Sequence, residues 1–349
     1  MHFLNKSFYY FIGISYLFLC LSACSQSDEL LKEQLNMRIL LNVQQEGMKD
    51  GRALIENTDA LRDACTQEKG GEAIGIWSAF ESNGVITEHV LGLNDDVSLI
   101  YSQGTTWYNW EGWTYGNVEA VWGVNLLYYF NAYFPKEGGL TGITNTKTAI
   151  QGNYNTETTQ TDLMVKRVVV DTSADTFKGD PVPLPMKHAL ATVKFIFQMN
   201  GGIATELLKS FSLDNTLKTS ASLNYNTESI TIDNWTNRAM SANERIYEWS
   251  DDNGISFSTE EGAVPYTTGE GRYRTDDGHI FIIPQQCDVS PTFNCIIGTK
   301  PYQNIPLGTT KFEPGNNYIY TIKVKGETID VTLSIKPWNE KNSSYDIDF

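Results

Sequence analysis

The chain has 349 residues, with 26 Lys or Arg against 42 Asp or Glu and a formal net charge of −16 at pH 7. That acidic balance argues against nucleic acid as a partner, because phosphates are held by clustered cations. It favours solubility and mutual repulsion instead. The length exceeds that of a typical single domain, so two domains are expected.

The N-terminus carries Lys6, then an apolar run from Phe11 to Leu21, then Leu21-Ser22-Ala23-Cys24. A basic start, an apolar centre and small residues before a cut make a secretory signal. A cysteine directly after Leu-Ser-Ala makes it resemble a bacterial lipoprotein signal, in which the thiol is acylated and becomes the new N-terminus. The run is shorter than the roughly 20 apolar residues that a membrane-spanning helix needs. Residues 1–23 are therefore predicted to be removed, with Cys24 as the lipidation site and the outer membrane reached through that lipid. Residues 24–36 are polar and acidic beyond Cys24 and read as a tether.

From there the pattern is mostly β. Met37, Ile39, Leu41 and Val43 alternate as one face of a first strand. Residues 55–69 are the main helical candidate, with Asp59 as its cap. Asn83-Gly84, Asn253-Gly254 and Asp277-Gly278 are hairpin-turn signals, since both residues accept positive φ. Pro181, Pro183 and Pro185 alternate in a way that disfavours a central strand. That stretch is read as a stiff connector between an N-terminal domain, 37–180, and a C-terminal domain, 186–349. Beyond it, Val193, Phe195, Phe197 and Met199 form one face of a strand. Tyr318, Tyr320, Ile322 and Val324 form another, and Ile329, Val331, Leu333 and Ile335 a third, with Lys325-Gly326 turning the last two into a hairpin. Period-two patterning with one wet face predicts an all-β protein of antiparallel β-sandwich type.

Residues able to do chemistry are sparse. Of five cysteines, Cys20 leaves with the signal and Cys24 takes the lipid. Cys65, Cys287 and Cys295 remain, an odd and irregular set that is no disulfide framework. Cys287 and Cys295 are spaced to pair across a hairpin, but buried free thiols are preferred. No CxxC or Cys/His cluster suggests zinc. Asp251-Asp252-Asn253-Gly254 lacks the alternate ligands and closing Glu of a calcium loop. The adjacent acid pairs Glu260-Glu261 and Asp276-Asp277 point to opposite faces of a strand and are poor evidence for a glycosidase. His188 stands beside no nucleophile and reads as a packing or hydrogen-bonding residue. No catalytic site, cofactor or metal is predicted. The aromatic cluster Trp107, Tyr108, Trp110, Trp113, Tyr115 and Trp122 is the best ligand candidate, because flat rings stack on sugars. Its plainer reading is core packing, since aromatics favour strands and pair across them.

Four groups of residues together resemble the fimbrillin-like family of type V pilus subunits. They are Glu72-Ala-Ile-Gly-Ile-Trp77; Leu127-Tyr-Tyr-Phe-Asn-Ala-Tyr-Phe-Pro135; Asp162-Leu-Met-Val165 with Met186-Lys-His-Ala-Leu-Ala-Thr-Val-Lys-Phe195; and Ile283-Pro-Gln285, Phe312 to Tyr320 and Ile335-Lys-Pro-Trp338 in that order. The lipoprotein signal fits the same family. The resemblance implies two transthyretin-like β-sandwich domains in tandem, and with no catalytic site among the residues no enzymatic activity is expected. It also implies export as a surface lipoprotein and joining to other subunits, or to copies of itself, by strand exchange. In the family a protease often removes the N-terminal segment, and a neighbour's strand fills the exposed groove. Here the displaced strand would be Met37, Ile39, Leu41 and Val43. The cut would fall at Arg52, Lys49 or Arg62, and the donor would be Ile329, Val331, Leu333 and Ile335, or the tail through Phe349. The alternative is that Met37 to Val43 stays permanently in its own sandwich, as suits an anchor.

Two functional readings follow: a fimbrial subunit with a role in adhesion, or a monomeric lipoprotein binding surface glycans or proteins through Trp107, Trp110 and Trp113. An envelope hydrolase is a weaker third.

Overall fold

The computed structural model describes residues 38–45, 58–66, 71–92, 96–105, 108–115, 120–199, 207–256, 262–263, 279–325 and 328–337. The signal, Cys24, Met37, Lys49, Arg52, Trp107, Asp277-Gly278, both adjacent acid pairs and the tail from Trp338 lie outside them.

In chain order the elements begin with β1 (Leu41–Gln45), α1 (Thr58–Ala64), β2 (Ile74–Ser82), β3 (Val85–Glu88), β4 (Val97–Thr105), β5 (Tyr108–Tyr115) and β6 (Leu127–Phe134). They continue with β7 (Thr141–Asn145), β8 (Ile150–Asn155), β9 (Met164–Asp171), β10 (Val182–His188), β11 (Ala191–Met199), β12 (Leu207–Asp214), β13 (Lys218–Tyr225), β14 (Trp235–Met240) and β15 (Arg245–Ser256). Last come β16 (Gly262–Ala263), β17 (His279–Ile282), β18 (Gln285–Gln286), β19 (Thr292–Ile297), β20 (Lys300–Pro306), β21 (Lys311–Phe312), β22 (Asn316–Lys325) and β23 (Thr328–Pro337). The all-β expectation holds, with α1 the one α-helix among the described residues.

The N-terminal sheet runs β1-β10-β9-β6-β2-β4-β5, with β3 also on β2. Its core gathers Ile39, Leu41 and Val43 with Ile74, Ile76, Leu99, Phe130, Leu184 and Met186, and Leu61 of α1 packs into it. In the C-terminal part, β16-β11-β22-β23, with β17 on β11, faces β15-β12-β19-β20 across a second core. Phe195, Phe197, Phe211, Phe293, Tyr318 and Tyr320 fill that sandwich, and Phe195 lies 4.5 Å from Phe211 between ring centroids. A third sheet, β14-β13-β8-β7, draws strands from both sides of residues 181–185 and has its own core around Tyr154, Leu190, Tyr225 and Trp235.

Several sequence expectations change on contact with the structure. The proline stretch is not a connector outside the sheets: Val182–His188 is a strand. It is tolerated because its proline-bearing part pairs on one side only, with β1. The ladders are not all antiparallel. β1 runs parallel to β10 and β11 runs parallel to β22, each pair joining segments more than a hundred residues apart. Asn83-Gly84 makes its hairpin turn with φ of 49° and 81°. Asn253-Gly254 does not turn the chain but lies inside β15, where five steps from Ser250 to Ile255 oppose two from Ser210 to Leu208. This bulge bends an edge strand, a common protection against unwanted pairing. Asp59 sits in the first turn of α1 rather than at its cap, 3.2 Å from Arg62.

Candidate functional site

β1 lies on a seam. Along one edge it pairs with β10, from Leu41 opposite Val182 to Gln45 opposite Met186, and the Val182 N–H donates to Leu40 O at 2.8 Å. Just before it, Arg38 bridges to Val121 and the Ile39 N–H donates to Ala120 O at 2.8 Å. The Tyr115 hydroxyl donates to Ile39 O at 2.6 Å. The first strand thus closes the gap between β10 and the segment that follows β5. Its inward side chains are fully committed: Ile39 and Val43 are 0 % exposed and Leu41 5 %. The alternation seen in the sequence is the pattern of a half-buried strand, but the identity of its neighbours was not legible there.

Of the processing candidates, Arg62 falls in α1. Its guanidinium is paired with Asp59 and lies 5.2 Å from the Tyr101 ring centroid. Lys49 and Arg52 belong to the stretch between β1 and α1, outside the described residues. The donor candidates Ile329, Val331, Leu333 and Ile335 are in β23, which pairs with β22 over its whole length and stands at the sheet's edge. Leu333 is buried, and the other three are half-buried against the C-terminal core.

The aromatic cluster divides. Trp113 is 7 % exposed and packs in a T-shaped contact with Tyr101 at 5.4 Å, so little of its ring is open to a ligand. Trp122 is buried among Tyr128, Phe130 and Phe177. Trp110 is on β5. All three described cysteines are free and buried. Burial raises Cys65 and Cys295 to about 12 and Cys287 to about 11, which keeps these thiols protonated and inert.

The motif residues meet one another in space. Gly75 of the Ile-Gly-Ile-Trp strand lies under Tyr133 of the aromatic-Ala-Tyr strand. A Cβ there would sit 2.2 Å from the ring, and the ring is anchored by a 2.8 Å bond from its hydroxyl to Asp96. Burial and the nearby Asp96 carboxylate both push that phenol's pKa up. His188 Nδ1 lies 2.9 Å from Asp162 Oδ1, both buried, which joins the Asp-Leu-Met and His-Ala-Leu segments. Gln285 receives the Lys218 N–H at 2.8 Å and returns its amide to Lys218 O at 3.0 Å. Gln160, which sequence reading passed over, does the same for Phe281 at 2.8 and 3.1 Å. Gly315 takes φ +70° and donates to Leu190 O at 2.8 Å, which sets the turn into β22. None of these contacts resembles a catalytic arrangement; each joins backbone segments far apart in sequence.

Comparison with known proteins agrees with this picture. The model of fimbrillin-like proteins matches residues 62–338. A fimbrial protein from Bacteroides vulgatus is 15 % identical and superposes with a TM-score of 0.53, covering 87 % of this chain and 100 % of that one. A candidate cell adhesion protein from Bacteroides ovatus is 15 % identical with a TM-score of 0.50, covering 87 % and 98 %. At that identity the two structures speak for the fold alone. No curated protein matches. The family pattern runs through most of the chain and its motif residues bond to one another across the fold: the protein belongs to the fimbrillin-like family.

Proposed function

We propose that this protein is a fimbrial subunit, exported as a lipoprotein acylated at Cys24 and joined to its neighbours by strand exchange once its first strand is removed. The observation that carries the reading is the seat of β1. Three side chains are buried, main-chain bonds run to both flanks, and the strand belongs to a segment reached through the chain between Gln45 and Thr58. Taking it away exposes the β10 edge together with the apolar sites of Ile39, Leu41 and Val43. Such an edge recruits a strand from another chain.

Processing within the stretch that holds Lys49 and Arg52 suits this better than at Arg62, which is ion-paired on a helix whose Leu61 is buried. The C-terminal tail is the more economical donor, because β23 would have to leave its complete ladder with β22. The test is to treat purified precursor with an arginine-specific protease and follow size. Conversion to oligomers is expected, and persistence as a monomer after clean loss of residues 37–43 would refute self-assembly. Cys24→Ser is expected to block acylation and leave an unprocessed precursor in cell fractions; normal membrane anchoring of that variant would refute the lipid assignment.

A further inference from the structure

Main-chain N–H groups along a strand alternate between its two edges. In β10 the Val182 N–H donates to Leu40 O, so those of Leu184 and Met186 face the same edge, toward β1. Positions 183 and 185 face the other edge, toward β9, and both are proline, which has no N–H. The ladder with β9 is short in consequence: only Lys187 and His188 pair, opposite Val165 and Met164. Continuing that register would set Pro185 against Arg167 and Pro183 against Val169, and neither pair forms. Val168 and Val170 of β9 are left only partly buried. Meanwhile Val182, Leu184 and Met186 are buried in the same core as Ile39, Leu41 and Val43.

We propose that Pro183 and Pro185 make β10 a one-sided strand, so that the slot vacated by β1 stays open for a strand of a second copy instead of closing onto β9. This rests on the strand-exchange reading above and adds the residues that keep the groove receptive. With β1 gone, a β10 able to donate at positions 183 and 185 would gain bonds by swinging onto β9, since unpaired main-chain groups are driven to pair, and that movement would carry the edge of Val182, Leu184 and Met186 out of the slot. With proline at 183 and 185 that route lacks two donors. The edge presented by Val182, Leu184 and Met186 remains, and it accepts a strand that brings carbonyls in register and apolar side chains at three alternate positions.

The test uses the mature chain with a site-specific protease sequence inserted among residues 46–57. After nicking, a fluorescent synthetic peptide of residues 37–45 is offered in excess under mild denaturant, and capture is measured after dilution. The parent protein is expected to take up the peptide. Pro183→Val/Pro185→Val is expected to capture it at least about tenfold more weakly, with its un-nicked form melting as the parent does. If the double variant does not fold intact, Pro185→Val alone is expected to fold and to show reduced capture. Equal capture by a folded valine variant overturns the proposal, as does absence of capture by the parent. Surface fibres that still contain residues 37–43 would refute trimming in cells while leaving the peptide result unaffected, so the two failures are separable.

Discussion

At the residue scale, the motif positions act as clasps between distant segments. Gly75 is required by the ring above it, and Tyr133 is fixed by Asp96, so the ring cannot give way. Gly75→Ala is expected to lose about 1–3 kcal/mol, as overpacking does, read as a lowered denaturation midpoint; an unchanged midpoint would refute the clash. Removing His188 leaves Asp162 buried without its partner. His188→Ala is expected to cost about 1–3 kcal/mol, the usual penalty for a stranded buried polar group. A His188→Ala protein as stable as the parent would mean that the pair contributes nothing. The cysteines set an alkaline limit. Their folded pKa values lie above the ordinary 9.0, so the folded state holds these protons more tightly than the unfolded state. Stability from this source is complete below pH 9.0 and falls as pH rises toward 11 to 12. Urea midpoints should drop between pH 9 and 11, and less so in Cys295→Ala when each is compared with its own pH 8 value.

At the element scale, β1 is the part whose removal the proposed assembly requires. Leu41→Ala is expected to loosen its seat by about 2–5 kcal/mol, the range for truncating a buried leucine. Hydrogen exchange should then accelerate at Val182 and Leu184 while the C-terminal sandwich keeps its protection. Much of this level was legible in the sequence. Alternating Val193, Phe195 and Phe197, or Tyr318, Tyr320 and Ile322, can be buried on one side only if they are strands, and they are. What escaped was pairing over long separations. Nothing local tells β11 that its neighbour is β22, or β8 that its neighbour is β13. The prolines misled for a definable reason. The rule against proline in a sheet concerns two-sided strands, and β10 carries its missing N–H groups on the edge that is not used. The tryptophans were ambiguous because strand-forming and ligand-stacking aromatics have the same composition; burial of Trp113 and Trp122 separates them only in three dimensions.

At the scale of the whole molecule, a net charge of −16 opposes association of copies. Screening shortens the reach of that repulsion to about 8 Å at physiological ionic strength. Oligomers of trimmed protein are expected to form faster as salt is raised from low to physiological levels. A rate insensitive to salt would show that surface charge does not limit encounter.

If subunits join by the proposed strand exchange, the seat of β1 would also give a fibre a direction. A slot on one part of the subunit filled from a different part of the next is a head-to-tail contact, which builds open filaments rather than closed pairs. An incoming strand that copies β1 must run parallel to β10, so every subunit would point the same way. One end of the filament would then carry a vacant slot and the other an unspent donor. A subunit that keeps β1 has nothing to offer at its slot, yet it can still fill the slot of another. Mixing untrimmed with trimmed protein is therefore expected to shorten filaments in proportion to the untrimmed fraction, as measured by electron microscopy. Filament length unaffected by the mixture would show that growth does not proceed through this slot.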